Sequence, residues 1–273
     1  MNLNKVISKS EGVKMKISYI LPVIFGLTVG YNCYADCNCA EELKNNPEFM
    51  NSIIQSVRQD LVKNPEILQD MSNALQQREA ETKNKELREY VNSNMDSMMA
   101  DAPILGNVDA DKTIFVWTDF SCPFCRRVHG ELDKVLKERS DVRVVIKNFS
   151  IHGDLSDAPA RAVIAAKLQD NSKAAALVES LMTKEYYSQE DTQDSSKLAE
   201  KVKENVLNFA RDAGLDTDKL SADMQGDIAS REMSNVRDLA NRFEIHGTPF
   251  LIINNKAFPG AIPYDQIINA LNN

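Results

Sequence analysis

Histidine is scarce in this chain, three in 273 residues, so the imidazole clusters that hold most catalytic metals have little to draw on. Cysteine numbers five, too few for a disulfide scaffold at this length. Glycine (10) and proline (9) are also sparse, and collagen-like, low-complexity and wholly disordered readings fall away with them. Positive charge is in deficit. Thirty-two Lys and Arg face 40 Asp and Glu, and a net charge of −8 argues against the basic stripe that nucleic acid demands. What is present is a globular composition, 43% hydrophobic and 26% charged. At roughly 150 residues per domain the length fits one to two domains, which can bury a core without disulfide staples.

The one long uncharged run lies near the start. Lys5, Lys9, Lys14 and Lys16 precede it with a single Glu11, and no charge appears from Ile17 until Asp36. This is the grammar of a secretory signal, with small-residue cleavage after Cys33-Tyr34-Ala35 and a mature chain from Asp36. Met15 is an alternative start. An uncleaved anchor is the rival reading, since 19 uncharged residues approach the ~20 needed to span, but Pro22, Gly26, Gly30 and Asn32 dilute the run. A lipid anchor on Cys33 fits less well, because Tyr31 and Asn32 are not small. Residues 1–35 are therefore read as a signal peptide, and export to the periplasm or another extracytoplasmic space is expected. Their removal takes four positive charges and one negative, which moves the net charge from −8 to −11. Cys37, Cys39, Cys122 and Cys125 stay in an oxidising compartment.

Residues 36–100 read as a helical region. Asn46-Pro47-Glu48-Phe49-Met50 returns 18 residues later as Asn64-Pro65-Glu66-Ile67-Leu68. Each copy predicts a helix start, with Asn capping, Pro in the first turn and Glu at the positive end of the dipole. Apolar residues at helical spacing predict three short helices: Phe49 to Leu61, Ile67 to Leu75, and a third with Leu87, Val91, Met95 and Met98 on one face. Short amphipathic helices need a surface to cover. A second subunit is the favoured surface, which makes the protein a homo-oligomer; the alternative is a cap on the same chain.

Ala102 to Asn107 breaks the helical pattern and marks a boundary near residue 101. Thr113–Val116 then reads as a buried strand, followed by Cys122-Pro123-Phe124-Cys125, a helix carrying Val128, Leu132 and Val135, and a strand over Val142–Ile146. Residues from about 154 to 243 are helical almost throughout. Strand character returns at Phe250–Ile253 and Lys256–Phe258, before a last helix over Tyr264–Leu271. The order predicts an α/β domain with a helical insert.

A Cys-x-x-Cys at a strand-to-helix turn places both sulfurs on one face of the first helical turn, where unpaired N–H groups favour a thiolate. That suits a redox centre. Zinc needs four ligands, and the only other mature thiols are Cys37 and Cys39, some 80 residues upstream. A structural disulfide across two residues would restrain almost nothing, and an inert buried pair suits an exported protein poorly.

Gly247-Thr248-Pro249 precedes the strand at Phe250. With the strand, CxxC, helix, strand and insert before it, this resembles the DsbA family of thiol-disulfide oxidoreductases, of thioredoxin-like fold, over about residues 101–271. Ile104–Asn107, Asp119–His129 and Phe258–Ala261 also match patterns of that family, and the Asn-Pro-Glu helices resemble those of oligomeric ScsC-type and Com-type periplasmic members. The resemblance implies Cys122 as nucleophile, Cys125 as its buried partner, Pro249 as a cis-proline against their redox-active disulfide, and Thr248, with Pro249 and Phe124, as substrate-binding. It implies no metal and no cofactor. The strand position six before the nucleophile, often a buried Glu in the oxidases, is Val116, and the dipeptide Pro123-Phe124 lacks their His. Asp119 is either a substitute for that Glu or a residue satisfying local amides. His129 lies one turn beyond Cys125, either tuning it or serving at the core edge; His152 and His246 fall in loops.

The expected function is a periplasmic thiol-disulfide oxidoreductase that forms disulfides in exported proteins with free thiols, reloaded by a membrane oxidase. The alternatives are an isomerase or reductase acting on wrong disulfides with a membrane reductase, or a metal-binding, holdase-like surface protein using the helices with Cys37 and Cys39.

Overall fold

The computed structural model of the protein describes residues 46–188, 191–193 and 195–272. The expected signal segment, its cleavage site, Cys37 and Cys39 lie outside the described residues. The chain divides into two compact units, one up to Asp70 and one from Met71 to Asn273.

In the first unit α1 spans Pro47–Lys63. Asn46 caps it as expected, its Oδ1 accepting the N–H of Glu48 and of Phe49, both at 3.1 Å. No residue of α1 is buried. The second Asn-Pro-Glu behaves differently: the Asn64 amide turns back to donate to the Asp60 carbonyl and carboxylate, both at 3.0 Å, and so closes α1 instead of opening its successor. That successor, α2, runs over Glu66–Met99, one helix where two short ones were expected. No Pro or Gly occurs in its 34 residues, so nothing stops propagation. Its one irregularity is Asn94 (φ −129°, ψ 16°), whose side chain donates to the Tyr90 carbonyl at 2.8 Å.

The second unit is built on a five-stranded sheet in the order β1-β3-β2-β4-β5. β2 (Lys112–Thr118) runs parallel to β3 (Val142–Asn148) and antiparallel to β4 (Phe250–Ile253); β1 (Ile104–Gly106) and β5 (Lys256–Pro259) add antiparallel edges. Three central strands are apolar on both faces because helices cover both. On one face Ile114, Val116, Val144, Ile146 and Leu251 meet Val128, Leu132 and Val135 of α3 (Pro123–Glu138), α9 (Tyr264–Asn272) and the helical insert. On the other, Phe115, Trp117, Val145 and Ile252 meet Leu87, Val91 and Met98 of α2 and Val236 and Ala240 of α8 (Asp227–Arg242). The stripe predicted for the third segment is thus buried against the same chain, with Met95 at its edge. The insert consists of α4 (Asp154–Gln169), α5 (Asn171–Thr183), α6 (Ser195–Asp212), α7 (Thr217–Asp223) and α8.

β1 falls where the sequence predicts only a boundary. Three residues after Pro103, the last a glycine, are too few to show a period, yet they pair with β3. Gly106 ends the strand at φ +80°, and a Cβ there would lie 2.6 Å from Leu136. A second feature absent from any hydrophobic pattern is a buried ion pair. Lys147 of β3 and Glu232 of α8, 1% and 3% exposed at the side chain, meet at 2.6 Å, and the Lys147 ammonium also donates to the Met98 carbonyl at 2.8 Å.

Candidate active site

β2 delivers the chain to Thr118, and three residues then turn it into α3. The Cys122 N–H bonds the Asp119 carbonyl at 3.1 Å, Pro123 occupies the first turn, and Cys122 stands at the N-cap. The turn is held from beneath by Asp119, which is 1% exposed. Its Oδ1 accepts the Ser121 N–H (2.9 Å) and the hydroxyls of Ser121 and Ser156 (both 2.7 Å), and its Oδ2 meets the Ile151 N–H and His152 Nδ1, both at 2.9 Å. Burial pushes the Asp119 carboxyl up, but the bonds from Ile151, Ser156, His152 and Ser121 together outweigh it and hold the group below the usual carboxylate range. Asp119 is the residue that satisfies local amides. It does not replace the missing Glu as a proton carrier, since both oxygens are committed.

Cys122 Sγ lies 3.6 Å from the Thr248 carbonyl oxygen. Cys125, one turn on, is 1% exposed, and its Sγ accepts the Asp119 N–H at 3.5 Å. Burial pushes the Cys125 thiol up to about 11, against the smaller pull of the Thr118 and Thr248 hydroxyls and the Asp119 amide. Both cysteines are free thiols in the structure. Thr248–Pro249 is a cis peptide, and the Pro249 carbonyl accepts the Gly260 N–H at 2.9 Å, tying the loop to the end of β5. Phe124 is 54% exposed at the rim, with the Arg127 guanidinium 5.3 Å over its ring.

Four of the five expected site residues thus converge: Cys122, Cys125, Thr248 and Pro249, with Phe124 beside them. His129 turns away to Glu179, Nε2 to Oε2 2.7 Å, and His152 touches Asp119 instead of either sulfur. Among the described residues no group of three or more His, Cys, Asp or Glu is placed to hold a metal. Thr118, Ser121, Ser156 and Arg126 complete the site unannounced. Arg126 donates to the carbonyls of Phe120 (3.2 Å) and Lys184 (3.1 Å), joining the turn to the end of α5. Thr118 is readable as the inward residue after Ile114 and Val116; Ser121 lies in the turn, and Arg126 of α3 and Ser156 of α4 join the site only through packing between elements.

The arrangement places one sulfur, 6% exposed, at a helix start beside a backbone carbonyl and the second, 1% exposed, beneath it. The thioredoxin family model matches residues 99–273, and a model of the copper resistance protein ScsC N-terminal domain matches residues 53–81. A thioredoxin-like oxidoreductase from Silicibacter pomeroyi DSS-3 is similar at 30% identity and TM-score 0.55, over 65% of this chain and 95% of that one. Proteus mirabilis ScsC in a transitional conformation is similar at 26% identity and TM-score 0.55, over 86% and 97%. A sodium/proton antiporter NhaA 1 of Mycolicibacterium gilvum is 29% identical over 173 residues, 62% of this chain, and the chain spans only 26% of that relative's length. The chain belongs to the thioredoxin family. Within it, the CxxC at the helix start and the Thr-Pro loop against it form a site suited to thiol-disulfide exchange, and the segment upstream is similar to the ScsC N-terminal domain.

Proposed function

We propose that the protein is exported to the periplasm and forms disulfide bonds in other exported proteins. The observation that carries this reading is the pairing of Cys122, beside the Thr248 carbonyl at 3.6 Å, with a Cys125 sealed from solvent. A substrate thiolate attacks Cys122 Sγ of the oxidised pair, the bridge breaks, and Cys125 leaves with the electron pair. The substrate's second thiolate then attacks its own sulfur in the mixed disulfide and releases Cys122 as a thiolate. Two electrons pass to the enzyme, and a membrane oxidase partner takes them up. The cis Thr248–Pro249 peptide lies beside Cys122 and offers the Thr248 carbonyl to a substrate strand, and Phe124 supplies an apolar rim. No helix among the described residues is long and apolar enough to cross a membrane.

A second reading, isomerase or reductase, is favoured by one feature. Phe49, Ile53, Val57 and Leu61 are 39–52% exposed along α1, a stripe suited to self-association, and an oligomer screens its sites from a monomer-specific oxidase. The redox state of Cys122 and Cys125 in cells, read by thiol trapping, decides between them: an oxidised pair supports the oxidase, a reduced pair the isomerase.

A further inference from the structure

Exchange at Cys122 and Cys125 leaves one proton to be accounted for. When the bridge opens, Cys125 departs as a thiolate and must gain a proton; when it closes, the Cys125 thiol must lose one. Cys125 is 1% exposed, so solvent does not reach it directly. The titratable groups packed around it are otherwise engaged. On α3, Arg126 donates to the Phe120 and Lys184 carbonyls, and His129 is paired with Glu179. From the preceding turn, Asp119 spends its oxygens on five hydrogen bonds, one of them with His152. From the insert, the Tyr186 hydroxyl donates to the Leu155 carbonyl at 2.9 Å.

Among the described residues the buried side-chain atoms without a hydrogen-bond partner are the Thr248 hydroxyl and both ends of the Asn148 amide. Asn148 ends β3 directly opposite Thr118 in parallel register, and alternation places it with Val144 and Ile146 on the face covered by α3. Asp119, the residue after Thr118, gives its N–H to Cys125 Sγ at 3.5 Å, and the Thr118 and Thr248 hydroxyls both pull on the Cys125 thiol. Asn148 is 2% exposed, and neither its Nδ2 nor its Oδ1 has a hydrogen-bond partner among the described residues. A buried amide unpaired at both ends is rare in folded proteins and costly, and it is suited to anchoring an ordered water.

We propose that Asn148 is a positioning residue that anchors a water beside Thr118, and that this water gives a proton to the Cys125 thiolate as the bridge opens and takes one from the thiol as it closes. In the closing step Cys122 Sγ is held in a mixed disulfide with a small thiol. The water takes the Cys125 proton, the thiolate gives its electron pair to Cys122 Sγ, and the small thiol leaves with the pair from the broken bond and is protonated by solvent.

The inference rests on disulfide exchange at this pair, and one experiment separates the two. The reduced full mature protein is mixed with oxidised glutathione, and formation and closure of the mixed disulfide are followed by rapid acid quench and mass spectrometry across pH. Asn148→Leu is expected to form the mixed disulfide on Cys122 at the wild-type rate but to close it about tenfold or more slowly near neutral pH, the deficit shrinking as alkali supplies hydroxide. Asn148→Ser, which keeps a hydrogen-bonding group, is expected to close at close to the wild-type rate. Closure by Asn148→Leu at the wild-type rate overturns the proposal, and so does a deficit that is the same at every pH, the mark of a purely structural residue. Should Asn148→Leu not fold, heavy water decides on the wild type: slower closure supports proton transfer in the step, equal rates overturn it. A wild type that forms no mixed disulfide at all overturns the exchange reading itself.

Discussion

At the scale of residues, the two sulfurs divide the work by depth. Cys122, 6% exposed, lies beside the Thr248 carbonyl, while Cys125 is 1% exposed and its thiol is raised to about 11 by burial. Cys125→Ser therefore leaves a nucleophile whose mixed disulfides cannot resolve internally, and substrates should accumulate as reductant-sensitive adducts on gels; Cys122→Ser should show none. Adducts through Cys125 alone would reverse the assignment. Asp119 lends itself to a stability test. Its folded-state carboxyl is held below its ordinary value, so its contribution is present above the unfolded value of about 3.9 and disappears as pH falls through the lower folded one. Asp119→Ala should cost at least about 2 kcal/mol in urea unfolding at pH 7, because it strands buried donors. The gap from wild type should narrow below about pH 4. The sulfurs were legible in the sequence because their spacing is local. Thr248 and Pro249 were legible only through family resemblance, and the ring of Ser121, Ser156 and His152 around Asp119 was not, since it joins residues up to 37 positions apart that share no pattern.

At the scale of elements, periodicity reported what each helix buries but not where it ends. The helical pattern from about 154 to 243 identified the insert, and short apolar runs carried β2 and β3. The helix α2 begins at the second Asn-Pro-Glu as expected, but runs through the expected break into the third segment because no residue between them stops it. The pair Lys147–Glu232 is invisible in the sequence: a Lys inside a strand and a Glu on a helix each look like surface residues until packing joins them. Its energetics make a sharp prediction. Glu232→Ala leaves the Lys147 ammonium buried with only the Met98 carbonyl, and should cost about 3–5 kcal/mol by denaturant unfolding. Replacing both partners, Lys147→Met with Glu232→Leu, should recover most of that loss, since two desolvated charges are exchanged for packed apolar groups. If the double variant is no more stable than Glu232→Ala, the pair is not the electrostatic unit that its geometry describes.

At the scale of the whole molecule, the second unit contains both cysteines, the Thr-Pro loop and two apolar cores, whereas the first has an apolar stripe and nothing buried along α1. A helix as exposed as α1 gains little from its own hydrogen bonds, and most helical stability in proteins comes from packing an amphipathic face. Phe49, Ile53, Val57 and Leu61 lie along one side of α1, and Leu68, Met71 and Leu75 are exposed on α2. The mature protein should therefore sediment as an oligomer, and a form beginning at Met71 should be a folded monomer that still alkylates at Cys122 and oxidises a small dithiol peptide at a rate within about threefold of the parent, because its cores and site are complete without α1. Two charges placed on the stripe, Ile53→Lys with Val57→Lys, should dissociate the assembly without unfolding the second unit, since burying unpaired ammonium groups costs far more than exposing them. Multi-angle light scattering and peptide oxidation on the three proteins test this together. A monomeric parent would assign the stripe to another partner, and loss of peptide oxidation in the Met71 form would show that the first unit takes part in the chemistry.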